Sequence, residues 1–302
     1  MQELMAVQMN DVVKQGRNKP IGPLNLDIPV GYVVALVGPN GSGKSTLLQF
    51  ILQTLHPDEG SIRWFGQSYK NTLPLEIRQQ ISYVAEGPLL EESHMTVQEA
   101  AYFRGHWYPA WDQQRFEELL AIFSLQSQAK LNKMSKGERR KFEIAAALAV
   151  RPRLLLLDEP SSGLDPFAWT QMMDEIRTCL EGEDVTVIIS THIVDEIKRL
   201  ADYVVLIHEG KVKGMVEKDA MLSQWVEVWA RGQVQLMSPD VRSDVIEIQE
   251  DESGMHRFIV QNTPNILAKL AEEGLEVVRS RALELEETLG LWIKEQGPEL
   301  TH

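Results

Sequence analysis

This sequence has very little cysteine, and it lacks long apolar runs and an excess of positive charge. Cys179 is the single cysteine in 302 residues, which excludes an internal disulfide and fits a reducing compartment. No apolar run approaches the ~18 residues that cross a bilayer, so a role at a membrane would require a partner. The 44 acidic residues outnumber 30 lysines and arginines, and the net charge of −14 argues against a nucleic-acid partner.

The remaining composition is that of a globular protein, with 43% apolar and 25% charged residues. The length predicts one large domain, or one large domain with a smaller one. Residues 1–10 lack a basic stretch followed by an apolar one, so we expect no signal peptide.

The most informative segment is a glycine-rich loop with one lysine, Gly38-Pro39-Asn40-Gly41-Ser42-Gly43-Lys44-Ser45-Thr46. It matches the P-loop pattern G-x-x-x-x-G-K-[ST]. The apolar residues 32–37 before it predict a buried strand, and the helical spacing of apolar residues from Ser45 to Leu55 predicts a helix after it. In this setting the loop turns backbone N–H groups toward phosphate, Lys44 faces the β- and γ-phosphates, and Ser45 can bind Mg²⁺.

Two further apolar segments end in polar side chains. The aliphatic residues 154–157 are followed by Asp158 and Glu159, and the mainly apolar residues 185–189 are followed by Ser190, Thr191 and His192. Ligands bind at the C-terminal ends of strands in α/β sheets. Together with the P-loop, these strand ends predict a nucleotide-hydrolysing site.

Residues 96–150 have a mainly helical pattern. Thr96 followed by Glu99 predicts a capping box, Asp112 predicts the start of a helix over 113–123, and a further helix is expected from Glu138 to Val150.

We place a domain boundary near residue 222. The segment 223–302 predicts a small α+β domain without catalytic residues.

Five stretches occur in one order along the chain. They are the P-loop, Met134-Ser135-Lys136-Gly137-Glu138, Leu154–Glu159, Ser162–Asp165 and His192. Over residues 1–222 this order resembles the nucleotide-binding subunits of ABC transporters, and residues 108–137 resemble most the ATPases of ABC-2-type exporters. The resemblance implies a P-loop NTPase fold with a RecA-like core sheet, an antiparallel β-subdomain and a helical subdomain inserted at about 87–150.

The resemblance also implies a mechanism and a set of site residues. Two ATPase subunits, identical or paralogous, would enclose two ATP molecules. Each ATP would lie between the P-loop of one subunit and the signature, residues 134–138, of the other. Glu159 would polarise the attacking water, and His192 would contact the γ-phosphate. The implied contacts to ATP outside the P-loop are Ser135, Gly137 and Asp165, and the implied Mg²⁺ ligands are Ser45, Glu86 and Asp158.

A membrane partner follows from the same resemblance. ATP-driven closure would power an integral-membrane permease, which would place the chain in the cytoplasm at the inner face of the cell membrane. The permease would dock beside residues 86–111, where five aromatic residues lie close together: Tyr102, Phe103, Trp107, Tyr108 and Trp111. We expect at least one of them to contact the permease, the alternative being a small core of the helical subdomain.

The chain departs from the family pattern at several positions. Glu86 takes the place of the usual glutamine, and Lys136 and Glu138 replace glycine and glutamine in the signature. Gln15 falls near the position of the aromatic residue that stacks on adenine in many relatives, so we expect loose base selectivity.

The competing interpretation is a soluble ABC ATPase that acts on DNA ends or ribosomes. DNA-repair relatives carry a long coiled coil between the P-loop and the signature, whereas the 91 residues here (135 − 44) contain no sustained heptads. Ribosome-associated relatives usually join two ATPase domains, and this chain has one P-loop. Both observations favour the transporter subunit.

Overall fold

The computed structural model describes residues 4–16, 19–69, 72–87, 91–181, 185–234, 237–250, 254–263 and 265–294. The chain divides into two compact units, Met1–Met215 and Val216–His302. Within the described residues, none of the helices combines the length and the apolar character needed to cross a membrane.

The first unit contains two sheets and a group of helices. Its strands in the described residues are β1 (Met5–Lys14), β2 (Ile21–Pro29), β3 (Val33–Val37), β4 (Glu59–Trp64), β5 (Gln67–Ser68), β6 (Ile81–Val84), β7 (Leu154–Asp158), β8 (Thr186–Ser190), β9 (Tyr203–His208) and β10 (Lys211–Glu217). Its helices there are α1 (Lys44–Ile51), α2 (Leu75–Arg78), α3 (Val97–Trp107), α4 (Gln113–Ile122), α5 (Lys136–Ala149), α6 (Pro166–Leu180) and α7 (Val194–Leu200).

The central sheet has six strands in the order β10-β9-β3-β8-β7-β6. The pairs β3–β8, β3–β9, β7–β8 and β6–β7 are parallel. Every residue of β3, β7 and β8 is buried, as expected for near-continuous aliphatic runs in a parallel sheet. The C-terminal ends of β3, β7 and β8 therefore lie side by side at one edge, where the predicted site residues follow them.

A second sheet, in the order β2-β1-β4-β5, is antiparallel. Its apolar residues share one core with α1 and the central sheet, and Trp64 in that core donates its indole N–H to the carbonyl of Ile51 at 2.8 Å. The P-loop NTPase fold of the ABC type is thus present, with a central sheet and an antiparallel β-subdomain.

The helix boundaries follow local capping. The Thr96–Glu99 capping box at the start of α3 is confirmed, and Asp112 caps α4. Helix α5 begins at Lys136 rather than at the predicted Glu138, because Ser135 caps its first turn. Helix α1 ends at Ile51, before the predicted Leu55, since the chain turns at Gln53 with φ 52°.

The second unit is a small α+β fold. Its described elements are α8 (Lys218–Ser223), β11 (Trp225–Arg231), α9 (Pro239–Ser243), β12 (Val245–Glu250), β13 (His256–Gln261), α10 (Ile266–Glu272), β14 (Glu276–Ala282) and α11 (Leu285–Ile293). From β11 to β14 the order is β-α-β-β-α-β, and the antiparallel sheet runs β12-β13-β11-β14, which is the ferredoxin-like arrangement. The boundary expected near residue 222 lies inside α8, which packs against β11 within this unit.

Candidate functional site

The P-loop connects β3 directly to α1. Gly41 and Gly43 adopt φ 78° and 112°, which turns the backbone into the first turn of the helix. The Lys44 side chain is buried and donates from Nζ to the Gly38 carbonyl at 2.8 Å. In the described residues the buried Ser42 hydroxyl has no hydrogen-bond partner. A buried ammonium, an unused hydroxyl and a helix N-terminus together fit a phosphate chain.

Neighbouring backbone holds this loop in place. A Cβ on Gly38 would lie 2.0 Å from the carbonyl oxygen of Ile207 in β9, so only glycine fits there. The N–H of Gly210, in the turn between β9 and β10, donates to the Ser42 carbonyl at 2.8 Å. The loop is therefore a preformed cradle braced by the next strand of the sheet.

The predicted metal ligands provide oxygen atoms beside the loop. The Ser45 hydroxyl donates to Oδ1 of Asp158 at 3.3 Å, and Asp158 is buried at the end of β7. The described residues contain no cluster of three or more histidine, cysteine or carboxylate side chains that could hold a metal by themselves. The pair of oxygens from Ser45 and Asp158 fits Mg²⁺, which is usually bound by one or two protein oxygens together with substrate phosphates.

Glu159 and His192 form a pair at the ends of β7 and β8. Oε2 of Glu159 lies 2.8 Å from Nδ1 of His192, and the Glu159 N–H donates to the Ser190 carbonyl at 2.9 Å. Burial raises the pKa of Glu159, and the neighbouring His192 opposes that shift. A partly buried carboxylate with a raised pKa accepts a proton more readily than an ordinary surface glutamate.

One cavity of 610 Å³ brings these residues together. It is lined by Ile21, Asn40, Gly41, Gly43, Lys44, Ser45, Thr46, Glu86, Glu159, Ser161, Ser162, Gly163, His192 and Ile193. The P-loop, the carboxylate of Glu159 after β7 and the imidazole of His192 after β8 thus face one space. That space is large enough for a nucleotide phosphate chain and its metal.

Comparisons with known proteins agree with this geometry. Residues 21–162 match the family model described as "ABC transporter". The bacitracin transport ATP-binding protein BcrA of Bacillus licheniformis is 33% identical over 210 residues, which cover 68% of each chain. This chain belongs to the ATP-binding family of ABC transporters.

Other relatives of this ABC ATPase carry names that refer to different substrates and processes. The daunorubicin/doxorubicin resistance ATP-binding protein DrrA of Streptomyces peucetius is 33% identical, over 70% of this chain and 65% of the relative. The sulfate/thiosulfate import ATP-binding protein CysA of a Synechocystis strain is 35% identical, over 69% of this chain and 60% of the relative. A solved ATP-binding subunit of an ABC transporter superposes with a TM-score of 0.64 at 28% identity, covering 72% of this chain and 91% of that one.

The signature residues of this ABC ATPase lie away from the Lys44 cavity. Ser135 accepts from the Glu138 N–H at 3.2 Å, and the Ser135 N–H donates to Oε2 of Glu138 at 2.8 Å, so the unusual glutamate completes a capping box. Ser135 lines a separate cavity of 280 Å³, together with Glu86 and Arg140. Within one chain, the P-loop and the signature are therefore not parts of the same pocket.

The signature contacts the segment after β7. Lys136 donates from Nζ to the Ser162 hydroxyl at 2.9 Å, and a Cβ on Gly137 would lie 2.9 Å from the Gly163 carbonyl oxygen. Asp165, expected to contact ATP, caps α6 by accepting from the N–H groups of Phe167 and Ala168 at 3.0 Å each. These backbone hydrogen bonds lower the pKa of Asp165, with the bond from Ala168 the larger cause.

The structure adds residues that sequence reasoning missed. Ile21 and Ile193 line the Lys44 cavity, although neither carries a polar signal that could have identified it. The exposed Gln15, expected near the base, donates its N–H to Oδ2 of Asp58 at 2.7 Å. An aliphatic wall at Ile21 is the apolar surface that the cavity offers instead of an aromatic ring.

The five aromatic residues near α3 differ in exposure, and Tyr108 is half-buried. Tyr102, Phe103 and Trp107 are 81%, 46% and 53% exposed, whereas Trp111 packs on the buried Phe116 with ring centroids 5.3 Å apart. A groove of 710 Å³ runs beside them and includes Tyr83, Phe103, Arg104, Trp107 and Tyr108 in its lining. The small-core alternative therefore holds for Trp111, while Tyr102, Phe103 and Trp107 present large apolar surface to solvent.

Proposed function

We propose that this ABC ATPase hydrolyses Mg²⁺-bound ATP to power a separate permease, as one of two ATPase subunits of an exporter. The observation that carries the proposal is the single cavity shared by Lys44, Ser45, Glu159 and His192. A P-loop alone would support nucleotide binding. A partly buried carboxylate next to the phosphate cradle supports hydrolysis as well.

Nucleotide binding is assigned to the loop and its lysine. The Lys44 ammonium is satisfied by the Gly38 carbonyl in the present structure and can turn toward the β- and γ-phosphates when they enter. Bound Mg²⁺ would neutralise charge that develops on the phosphates, and Ser45, Asp158 and Glu86 are the oxygen ligands available to it. All three side chains lie at or beside this cavity.

We assign to Glu159 the role of accepting a proton from the attacking water. Burial raises the pKa of Glu159, which makes its carboxylate a better proton acceptor than an ordinary surface glutamate. The imidazole of His192 holds Oε2 of Glu159 at 2.8 Å and is 64% exposed, so the ring has room to turn toward a γ-phosphate.

A second ATPase subunit, identical or paralogous, would complete the site. Ser135 and Gly137 stand at the N-terminal end of α5, where helix dipole and N–H groups favour an anion, yet Ser135 does not line its own chain's Lys44 cavity. A partner subunit's signature would supply those donors, and closure of the pair would be the power stroke.

The groove beside α3 is the proposed contact with the permease. Exposed Phe103 and Trp107 flank it, and aromatic side chains in such positions anchor interfaces at low entropic cost. This contact would hold the chain at the inner face of the cell membrane. We propose export because residues 108–137 resemble the ATPases of ABC-2-type exporters. Among the relatives, DrrA is named for drug resistance and CysA for import.

The experiment that tests the function is Glu159→Gln, which keeps the shape of the side chain and removes the base. We expect ATP binding to remain, turnover to fall by at least about 100-fold, and an ATP-bound dimer to accumulate in size-exclusion chromatography with light scattering. The matched control is Glu181→Gln at an exposed helix end, which should behave as wild type. Wild-type turnover in the Glu159 variant would show that another group activates the water.

A further inference from the structure

Helix α5 contributes two consecutive arginines that are both buried but make different contacts. Arg139 is 7% exposed and donates from Nε to Oε1 of Glu143 on its own helix at 2.7 Å. Arg140 is 5% exposed and reaches off the helix to the loop after β6. There its Nη1 donates to the Ala85 carbonyl at 2.5 Å and its Nη2 to the Glu86 carbonyl at 2.6 Å.

The contact made by Arg140 requires the shape of a guanidinium. Its two terminal nitrogens point in nearly the same direction and can donate at once to two successive carbonyl oxygens. A lysine ammonium at this position would be a single point of donation. Burial lowers the pKa of Arg140, whereas the Glu143, Asp158 and Glu86 carboxylates favour its charged form.

Glu86 occupies a position between two cavities. It lines the 610 Å³ cavity with Lys44 and Glu159, and it also lines the 280 Å³ cavity with Ser135 and Arg140. Its side chain is exposed, so its own packing does little to fix it. In the described part of this loop, the pair of hydrogen bonds from Arg140 holds the backbone of Ala85 and Glu86.

We propose that Arg140 is a positioning residue that ties Glu86 to the signature helix, so that α5 sets where the Glu86 carboxylate stands relative to the metal and the phosphates. The inference rests on the proposed function, in which Glu86 is an Mg²⁺ ligand. Because Arg140 lies one turn beyond Ser135 on a continuous helix, a displacement of the signature is carried to Glu86 through one side chain. The carboxylate would then meet the metal in step with engagement of the signature.

The test uses Arg140→Lys in the full-length protein, because this change keeps the charge and removes the second hydrogen bond. Binding of a fluorescent ATP analogue is titrated with Mg²⁺, and kcat and KM for ATP are measured in parallel. We expect the half-saturating Mg²⁺ concentration to rise and kcat to fall, each about 10-fold, as for other residues that orient a metal ligand. KM for ATP at saturating Mg²⁺ should stay within about twofold of wild type, because the P-loop is untouched.

Arg139→Lys is the matched control, since it makes the same change at the neighbouring buried position, where the guanidinium donates to Glu143 of its own helix. It should leave the Mg²⁺ titration unchanged. A double-mutant cycle with Glu86→Ala supplies the second measurement: if Arg140 acts through the Glu86 carboxylate, Arg140→Lys should have no further effect on Mg²⁺ dependence in that background. Arg140→Gln provides the same comparison should the lysine variant fold poorly.

Three results would overturn the proposal. They are a wild-type Mg²⁺ titration in Arg140→Lys, equal shifts in Arg139→Lys and Arg140→Lys, and an undiminished effect of Arg140→Lys in the Glu86→Ala background. Failure of the proposed function would look different, because the unmodified protein would then bind nucleotide without hydrolysing it.

Discussion

Trp107→Ala is the change that separates an interface role of the α3 aromatics from a core role. Trp107 is 53% exposed at the edge of the groove. Gln79 donates to the backbone carbonyl of Trp107 at 2.6 Å, and the substitution keeps that hydrogen bond. Phe116, which lies in the interior between Trp111 and Phe142, is 1% exposed and serves as the comparison.

The expected magnitudes follow from exposure. Truncating a fully buried Phe or Trp to alanine costs about 3–5 kcal/mol, so Phe116→Ala should cost that amount. About half of the Trp107 surface is already in water and no closed cavity is left, so Trp107→Ala should cost about 1–2 kcal/mol. For a domain of this size, that corresponds to a melting temperature lowered by roughly 2–8 °C.

The loss at the interface should be larger than the loss in stability. A central aromatic anchor contributes at least about 2 kcal/mol to binding, which is a loss of about 30-fold in affinity. The assay is co-purification of the subunit with its membrane partner, together with melting and ATPase measurements on the isolated subunit. Trp107→Ala should lose the partner while keeping basal ATPase activity and most of its melting temperature.

The reasoning would be refuted if Trp107→Ala retained the partner at wild-type level, or if its melting temperature fell as far as that of Phe116→Ala. In the first case the permease would dock on another surface. In the second case the indole would be a structural element despite its exposure. Tyr102→Ala and Phe103→Ala extend the test along the same exposed face of α3.

Three other predictions address the nucleotide, the base and the C-terminal unit. Lys44→Ala should weaken ATP binding by about 10-fold or more because a buried charge next to the phosphates is removed, and unchanged affinity in calorimetry would contradict this. ATP and GTP should bind within about 10-fold of each other, since Ile21 offers apolar contact without base-specific polar groups; a strong preference in competition titrations would show that another residue reads the base. Hydrogen bonding to Arg281 lowers the pKa of Glu287 from 4.5 to about 2, so its stabilising contribution is complete above pH 4.5 and is lost as the pH falls toward 2. Glu287→Gln should therefore destabilise the second unit by about 1–2 kcal/mol at pH 7, after allowance for solvent screening, and by much less at pH 2; an equal loss at both pH values in denaturant titrations would argue against the ion pair.

Much of the site could be predicted because its chemistry depends on residues that are adjacent in the sequence. The segment from Gly38 to Thr46 needs glycines for its backbone angles and a lysine for phosphate, and both requirements appear in the sequence itself. The caps at Thr96 and Asp112 are equally local, since each side chain bonds to an N–H three residues later. Helix ends without such a cap, as after Ile51, were placed less accurately.

Other properties depend on residues that meet only after the chain has folded. The sequence indicates that both Glu159 and His192 follow strands, but their 2.8 Å contact requires β7 and β8 to be neighbours in the sheet. The aromatic cluster could be found from the sequence, yet which members face solvent depends on how α3 and α4 pack.

The sequence by itself determined the nucleotide chemistry of this protein, because phosphate binding rests on short backbone motifs whose residue types are nearly obligatory. Tertiary structure alone decided that Arg140 holds the Ala85 and Glu86 carbonyls while the adjacent Arg139 pairs with Glu143. The two adjacent arginines have different partners because successive helix positions point 100° apart, and the loop after β6 lies in the direction of Arg140.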